Sequence, residues 1–166
     1  SKALEVHQLK SYLRLVGKPS VTKGGVSEIQ DPHHRRTRLQ TILKEIGILG
    51  EPGCDELLFA IPQLSSELSL GQLYQWLKDH YPAYLEDTIS LKGIEQRLRR
   101  LVQLAMENIA HIGVEDFSNY KFERYSTTLF SFKAIRQEME FARGSGEHRG
   151  KVDVKRFLEG LALMIE

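Results

Sequence analysis

The stretch from Ser90 to Gly113 constrains this chain most, because its apolar residues recur at helical spacing without interruption. Taking Leu98 as the reference and stepping roughly 100° per residue, a set of apolar side chains falls within about 60° of it. That set is Leu91, Ile94, Leu101, Val102, Ala105, Ile109 and Ile112. The pattern predicts one long amphipathic helix with a core-facing side. No segment alternates with period two over more than a few residues, so we predict an all-α, compact multi-helix domain.

The opposite face of this predicted helix is polar and cationic over its first half. Between Ser90 and Gln103, four cations stand against one acid, Glu95, which gives a local charge of +3 in a chain of net charge +1. Arg and Gln read guanine and adenine in the major groove, while Lys and Arg also hold phosphates. The face therefore predicts DNA binding, and the alternative is an ordinary solvated helix face. The candidate contact residues are Lys92, Gln96, Arg97, Arg99, Arg100 and Gln103.

Length and composition are those of a soluble globular protein. The chain has 166 residues, of which 41% are apolar and 27% are charged, and about 100 residues suffice for a hydrophobic core. No apolar run approaches the roughly 20 residues that span a bilayer, and the first residues lack the sections of a signal peptide. We therefore expect a cytoplasmic protein without a membrane segment. The small net charge excludes a grossly basic nucleic-acid coat protein but allows a local binding patch.

The chain divides into an amino-terminal extension and a folded domain. Apolar residues Val6, Leu9, Leu13 and Val16 are spaced three, four and three apart, which predicts a short linker helix over residues 3–16. Pro19 and the Gly24-Gly25 pair then indicate a flexible connector. We assign residues 1–30 to this linker helix and connector, and residues 31–166 to the helical domain.

Capping residues predict the helices of the first half of the domain. Asp31 and Pro32 begin a helix that buries Leu39, Ile42, Leu43 and Ile46 and ends at Gly47. Pro52 begins a second helix that runs to about Leu64. Ser69 and Gln72 form a capping box for a third, Leu70–His80. After a break at Pro82 and a connector over 83–89, Ser90 caps the long helix. Two helices joined by a short break, with a basic second helix, predict a helix-turn-helix.

Further helices are predicted over Asn119–Ser126 and Ser131–Arg143, the second with Phe132, Ile135 and Met139 on one face. A loop over Gly144–Lys151 precedes a last helix, which is capped by Asp153. The densest aromatic cluster lies in this half, and we expect it to form core beneath the long helix rather than a surface for stacking bases. The cluster comprises Tyr120, Phe122, Tyr125, Phe130 and Phe132.

No arrangement of residues predicts catalysis, a cofactor or a metal. Adjacent His33 and His34 point about 100° apart on a helix, and neither has a Cys or His at the fourth following position to complete a ligand set. The single Cys54 excludes an intrachain disulfide, and we expect it to begin a helix rather than act as a nucleophile. The paired acids Glu86-Asp87 and Glu115-Asp116 lie at predicted turns, where acids serve as solvated caps. We therefore expect a protein that is not an enzyme.

Three segments resemble one known family over most of residues 37–143. They are Leu43–Glu51, Ile94–Leu101 continued to His111–Gly113, and Asp116–Tyr125 followed by Phe130–Phe132. The third is the most specific, because neither composition nor periodicity requires Asp-Phe-Ser-Asn at that place. These segments resemble the YcbB-like output domain of glutamine-utilisation response regulators. That domain is distantly similar to the DNA-binding domain of the sporulation master regulator.

The resemblance implies a bacterial two-component transcription regulator. In such proteins a sensor histidine kinase and a phosphorylated receiver domain control a helical output domain that binds double-stranded promoter DNA. This chain shows no receiver pattern, so we expect an output-domain fragment with the receiver upstream in the full-length protein. The apolar face of the predicted linker helix within residues 1–30 could then support a homodimer.

By position, the family's recognition helix starts at Ser90. We expect Lys92, Gln96 and Arg99 to read bases, because helix-turn-helix proteins insert the start of the recognition helix. We expect the remaining three candidates to lie toward phosphates; they are Arg97, Arg100 and Gln103. Two alternatives stay open. One is a helical protein-interaction domain that docks an acidic partner, and the other is an RNA-binding domain similar to antitermination output domains.

Overall fold

The computed structural model describes residues 31–64, 67 and 69–166. Over this part of the chain it contains eight α-helices, a 3₁₀ turn and no β-strand, which confirms the predicted all-α class. The predicted linker helix and connector lie outside the described residues. The helices are α1 (Pro32–Glu45), α2 (Cys54–Ala60), α3 (Leu70–His80), α4 (Pro82–Leu85), α5 (Leu91–Glu115), α6 (Tyr120–Leu129), α7 (Phe132–Ala142) and α8 (Val154–Met164), with the 3₁₀ turn at Ile61–Gln63.

Helix α5 is the axis of the domain. Its 25 residues give it a length of about 37 Å, and it packs against α3, α6, α7 and α8. Helix α1 packs on α2 and on the 3₁₀ turn, which also meets α8. One core therefore runs along α5. The side chains that α5 buries in that core are Ile94, Leu98, Leu101, Val102, Ala105, Met106, Ile109 and Ala110.

The capping predictions are confirmed. The side chains of Asp31, Ser90 and Asp153 each accept a backbone N–H at the start of their helix, and Ser131, which was not predicted as a cap, does the same. Ser69 forms the full capping box with Gln72. Because such contacts join residues only two or three positions apart, they set the helix starts independently of the tertiary fold.

Several predicted boundaries differ from the structure. Helix α6 ends at Leu129 rather than Ser126, and α5 ends at Glu115 rather than Gly113. Helix α2 begins at Cys54 rather than Pro52, because Gly53 adopts a φ of 95° that no helical residue can have. The predicted connector over 83–89 contains the short helix α4, which Pro82 initiates.

Three side chains predicted to be buried are exposed: Leu91 by 40%, Tyr120 by 61% and Phe132 by 63%. Each is the first residue of its helix. A helical side chain leans toward the amino terminus of its helix, so at the first position it leans off the end rather than onto the core. The remaining aromatics of the predicted cluster, Phe122, Tyr125 and Phe130, are buried as expected.

Polar contacts join the carboxyl end of α1 to α5 and α6. The Asn108 side chain on α5 donates to the backbone carbonyls of Ile46 and Gly47, which follow the end of α1. The Tyr125 hydroxyl on α6 donates to the carboxylate of Glu45, the last residue of α1. Burial and this hydrogen bond raise the pKa of Tyr125. The carboxyl end of α1 is therefore tied to both helices.

Candidate nucleic-acid interface

The outward face of α5 near its start forms the candidate interface. Ser90 begins the helix by accepting the Gly93 N–H at 3.0 Å, and the helix turns Ile94 and Leu98 into the core. Four side chains on the opposite face are exposed, and we call them the α5 strip. They are Lys92, Gln96, Arg99 and Arg100.

The side chains of the α5 strip carry donors that are not used within the described part of the chain. Among the residues that the structure describes, neither an ion pair nor a side-chain hydrogen bond joins any of the four to another group. Glu95 is exposed beside them, so the local charge is three cations less one acid, or +2. A cationic helix face without internal partners is free to bind an anionic ligand.

Arg97 differs from the α5 strip because it already holds a partner. Its Nε atom lies 3.2 Å from Oε2 of Glu56, a carboxylate on α2 that is 2% exposed. The Arg97 side chain is 42% exposed, so one side of the guanidinium is buried against Glu56 and the rest reaches the surface. The ion pair neutralises part of the charge of Arg97, and its contact with a phosphate stays a prediction.

Glu56 also faces two tyrosines from the segment between α3 and α5. Burial and the charge of Glu56 raise the pKa of Tyr81 to about 12, and the same two causes raise the pKa of Tyr84. These contacts bring α2, α4 and the start of α5 together. The sequence signal for Glu56 is weak, because it is one of two adjacent acids, Asp55 and Glu56, between the apolar residues Cys54 and Leu57.

Gln103 lies farther along α5 and is half-buried. Its Nε2 atom is 3.5 Å from Oε1 of Glu107, one turn onward. Gln103 thus adjoins the α5 strip without sharing its full exposure.

A shallow groove of about 380 Å³ runs along one flank of the α5 strip. The loop residues Glu51 and Pro52 form one wall, and α5 forms the other through Gln96, Arg97 and Arg100. The carboxylate of Glu51 and the two guanidiniums therefore stand on opposite sides of the groove.

Helices α3 and α5 pack against each other, which is compatible with the predicted helix-turn-helix. Their connection, residues 81–90, includes helix α4 and is longer than the three or four residues of a typical helix-turn-helix. The recognition role of α5 remains a prediction.

An apolar groove of about 580 Å³ lies between α6 and α7, away from the α5 strip. Phe122, Ile135 and Met139 line it together with the exposed rings of Phe117 and Phe132. The aromatic cluster thus supplies both core and one exposed surface.

No group of three or more His, Cys, Asp or Glu side chains in the described residues is arranged to hold a metal ion. Cys54 is buried at the start of α2, as predicted, and burial raises the pKa of its thiol. Within the part of the chain that the structure covers, every helix is too short or too polar to cross a membrane.

Comparison with known proteins agrees with the motifs. The transcriptional regulatory protein GlnL of Bacillus subtilis (strain 168) is 28% identical over 113 residues, which are 60% of this chain and 36% of GlnL. The chain thus spans about a third of that relative's length. No solved structure is significantly similar. The YcbB domain family matches residues 38–161, a range that includes all three resembling segments. The chain belongs to the YcbB domain family.

Proposed function

We propose that this domain is the output domain of a response regulator and that the α5 strip binds double-stranded promoter DNA. The observation that carries the proposal is the exposure of Lys92, Arg99 and Arg100 on one helix face without an ion-pair partner in the described residues. The similarity to a transcriptional regulatory protein supports it.

The dimensions of α5 suit the major groove. An α-helix with its side chains is about 10–12 Å across, and the major groove of B-DNA is about 12 Å wide. Lys92, Gln96 and Arg99 lie within the first three turns of α5, where we assign the contacts to base edges. Arg100 takes a phosphate. Gln103 contributes at the edge of the interface.

The same proposal covers the full-length regulator. A receiver domain upstream would be phosphorylated by a sensor histidine kinase in the cytoplasm, and the domain would then bind DNA without acting as an enzyme. A homodimer formed through the predicted linker helix of residues 1–30 would place two recognition helices on half-sites about 34 Å apart. Sedimentation of the chain with and without residues 1–30 tests this role, and an unchanged mass distribution contradicts it.

The experiment for the function is selection of bound duplexes from a random pool. We expect enrichment of a common sequence, and affinity that falls steeply as salt is raised. Structured RNA and an acidic protein serve as competitors. Preferential retention of RNA would favour the antiterminator-like alternative, and retention of the acidic protein alone would favour the protein-interaction alternative.

A further inference from the structure

Arg97 presents one edge to the protein and leaves the other free. Its Nε atom faces the Glu56 carboxylate at 3.2 Å. In the part of the chain that is described, its two terminal nitrogens have no hydrogen-bond partner, and 42% of the side chain is exposed. A guanidinium is a planar fork whose terminal N–H groups match the oxygens of a phosphate. The free edge can therefore take such an anion while Nε keeps its partner.

Glu56 keeps Arg97 in this orientation because its buried carboxylate needs a positively charged partner. The carboxylate is 2% exposed, and a buried charge that loses its partner is strongly destabilising. If Arg97 swung out to solvent, Glu56 would lose its partner ion. The Arg97 side chain is thus fixed before a ligand arrives, and less rotamer entropy is lost on binding.

Arg97 also stands where a DNA backbone would pass. Together with Gln96 and Arg100 it lines the groove along the flank of the α5 strip. A helix seated in the major groove has phosphates along its flanks and base edges beneath its outward face. The position of Arg97 beside the strip favours a phosphate as its ligand.

We infer that Glu56 is a positioning residue that fixes Arg97, so that the free edge of its guanidinium binds a DNA backbone phosphate beside the α5 strip. This inference rests on the proposed function. It assigns a role in DNA binding to a buried carboxylate on α2, where simple electrostatics would predict only repulsion.

The decisive variant is Glu56→Gln, which keeps the shape of the side chain and raises the net charge by one. If charge alone governed binding, this variant would bind duplex DNA more tightly. Loss of the ion pair instead leaves Arg97 held only by a neutral amide oxygen, and we expect up to about tenfold weaker binding, the rotamer entropy of one side chain that must then be ordered on binding. Arg97→Lys, which keeps the charge but lacks the fork, should also bind more weakly and tests the same point if Glu56→Gln fails to fold.

A double-mutant cycle on duplex DNA completes the test, with thermal unfolding measured for each variant. Glu56→Gln should cost no further affinity in an Arg97→Ala background, because the residue acts only through Arg97. Unchanged or tighter binding by Glu56→Gln, or equal losses in both backgrounds, would overturn the positioning role. If the unaltered chain does not bind duplex DNA, the proposed function itself fails. If it binds and Arg100→Ala weakens it while the Glu56 and Arg97 variants do not, only this inference fails.

Discussion

The ring of Phe122 on α6 occupies the space beside Gly113 on α5 that a Cβ atom would need. Both residues are buried in the α5–α6 contact. Gly113 is therefore required for close packing of the two helices and not for a turn.

We expect Gly113→Ala to lower the free energy of unfolding by about 1–3 kcal/mol, because an overpacked core must shift the Phe122 ring or the helix. Gly71→Ala is the matched control, since a Cβ at this exposed position of α3 meets nothing within 4 Å. Because Gly71 is the second residue of α3 rather than an interior one, the control should change stability by less than the roughly 0.5–1 kcal/mol of a Gly-to-Ala change in mid-helix, and should not destabilise. Denaturant unfolding of both variants decides, and a stabilised Gly113→Ala would contradict the packing argument.

The loop before α8 is fastened by a buried charge. Glu138 on α7 is 2% exposed and accepts from Arg149 at 3.1 Å and from the Gly150 N–H at 2.8 Å. Arg149 also pairs with Glu107 at 2.6 Å, and we expect Arg149→Met, which removes both pairs, to lower the free energy of unfolding by about 2 kcal/mol, less than for a fully buried pair because Arg149 is 43% exposed. Arg136→Met, which breaks an exposed pair with Glu140, should change stability by less than about 0.5 kcal/mol. Equal losses from both variants would remove the special role of Glu138.

The raised pKa of Tyr81 predicts a loss of stability at alkaline pH. Burial and the charge of Glu56 raise that pKa from 10.0 to about 12. The pKa of Tyr81 is higher in the folded state than in the unfolded state. The neutral Tyr81 hydroxyl therefore contributes fully to the free energy of unfolding below pH 10, and this contribution is lost as the pH rises toward 12. Unfolding measured across this range should show a smaller decline for Tyr81→Phe. A decline identical to that of the unaltered chain would contradict this contribution.

Single changes within the α5 strip should separate phosphate contacts from base contacts. Arg100→Ala should weaken binding to all duplex sequences alike and reduce the slope of log affinity against log salt by about one unit. Gln96→Ala should relax the preference at one base pair, at a cost of about 1–3 kcal/mol on the preferred sequence. Lys133→Ala, on the exposed side of α7, is the control that should change neither the salt slope nor the preference at that base pair. Equal losses on every sequence from the Arg100 and Gln96 variants would refute the assigned roles.

Features that depend on near neighbours in the chain were predictable. The caps at Asp31, Ser69 and Ser90 and the apolar face of α5 follow from spacings of two to four residues, and the structure confirms them. The starts of these helices could therefore be derived without tertiary information, whereas the start of α2 at Cys54 and the short helix α4 were not predicted.

Features that depend on distant residues were not predictable in the same way. Arg97 and Glu56 are 41 positions apart, and periodicity cannot indicate which acid a helix flank will meet. The sequence thus indicated the face of α5 that could bind DNA, while the division into free and ion-paired arginines required the fold.

Removal of the charges of the α5 strip tests the central claim most directly. The triple variant Lys92→Ala, Arg99→Ala, Arg100→Ala is compared with a control triple that removes the same charge from exposed lysines on and near α7 and α8. The control changes are Lys133→Ala, Lys151→Ala and Lys155→Ala. Affinity for a selected duplex is measured against salt concentration. We predict that the strip variant loses sequence-preferring binding and that its salt slope falls by about one unit, because Arg100 is the one of the three assigned to a phosphate, while the control retains both. Equal affinities for the two variants would contradict the account.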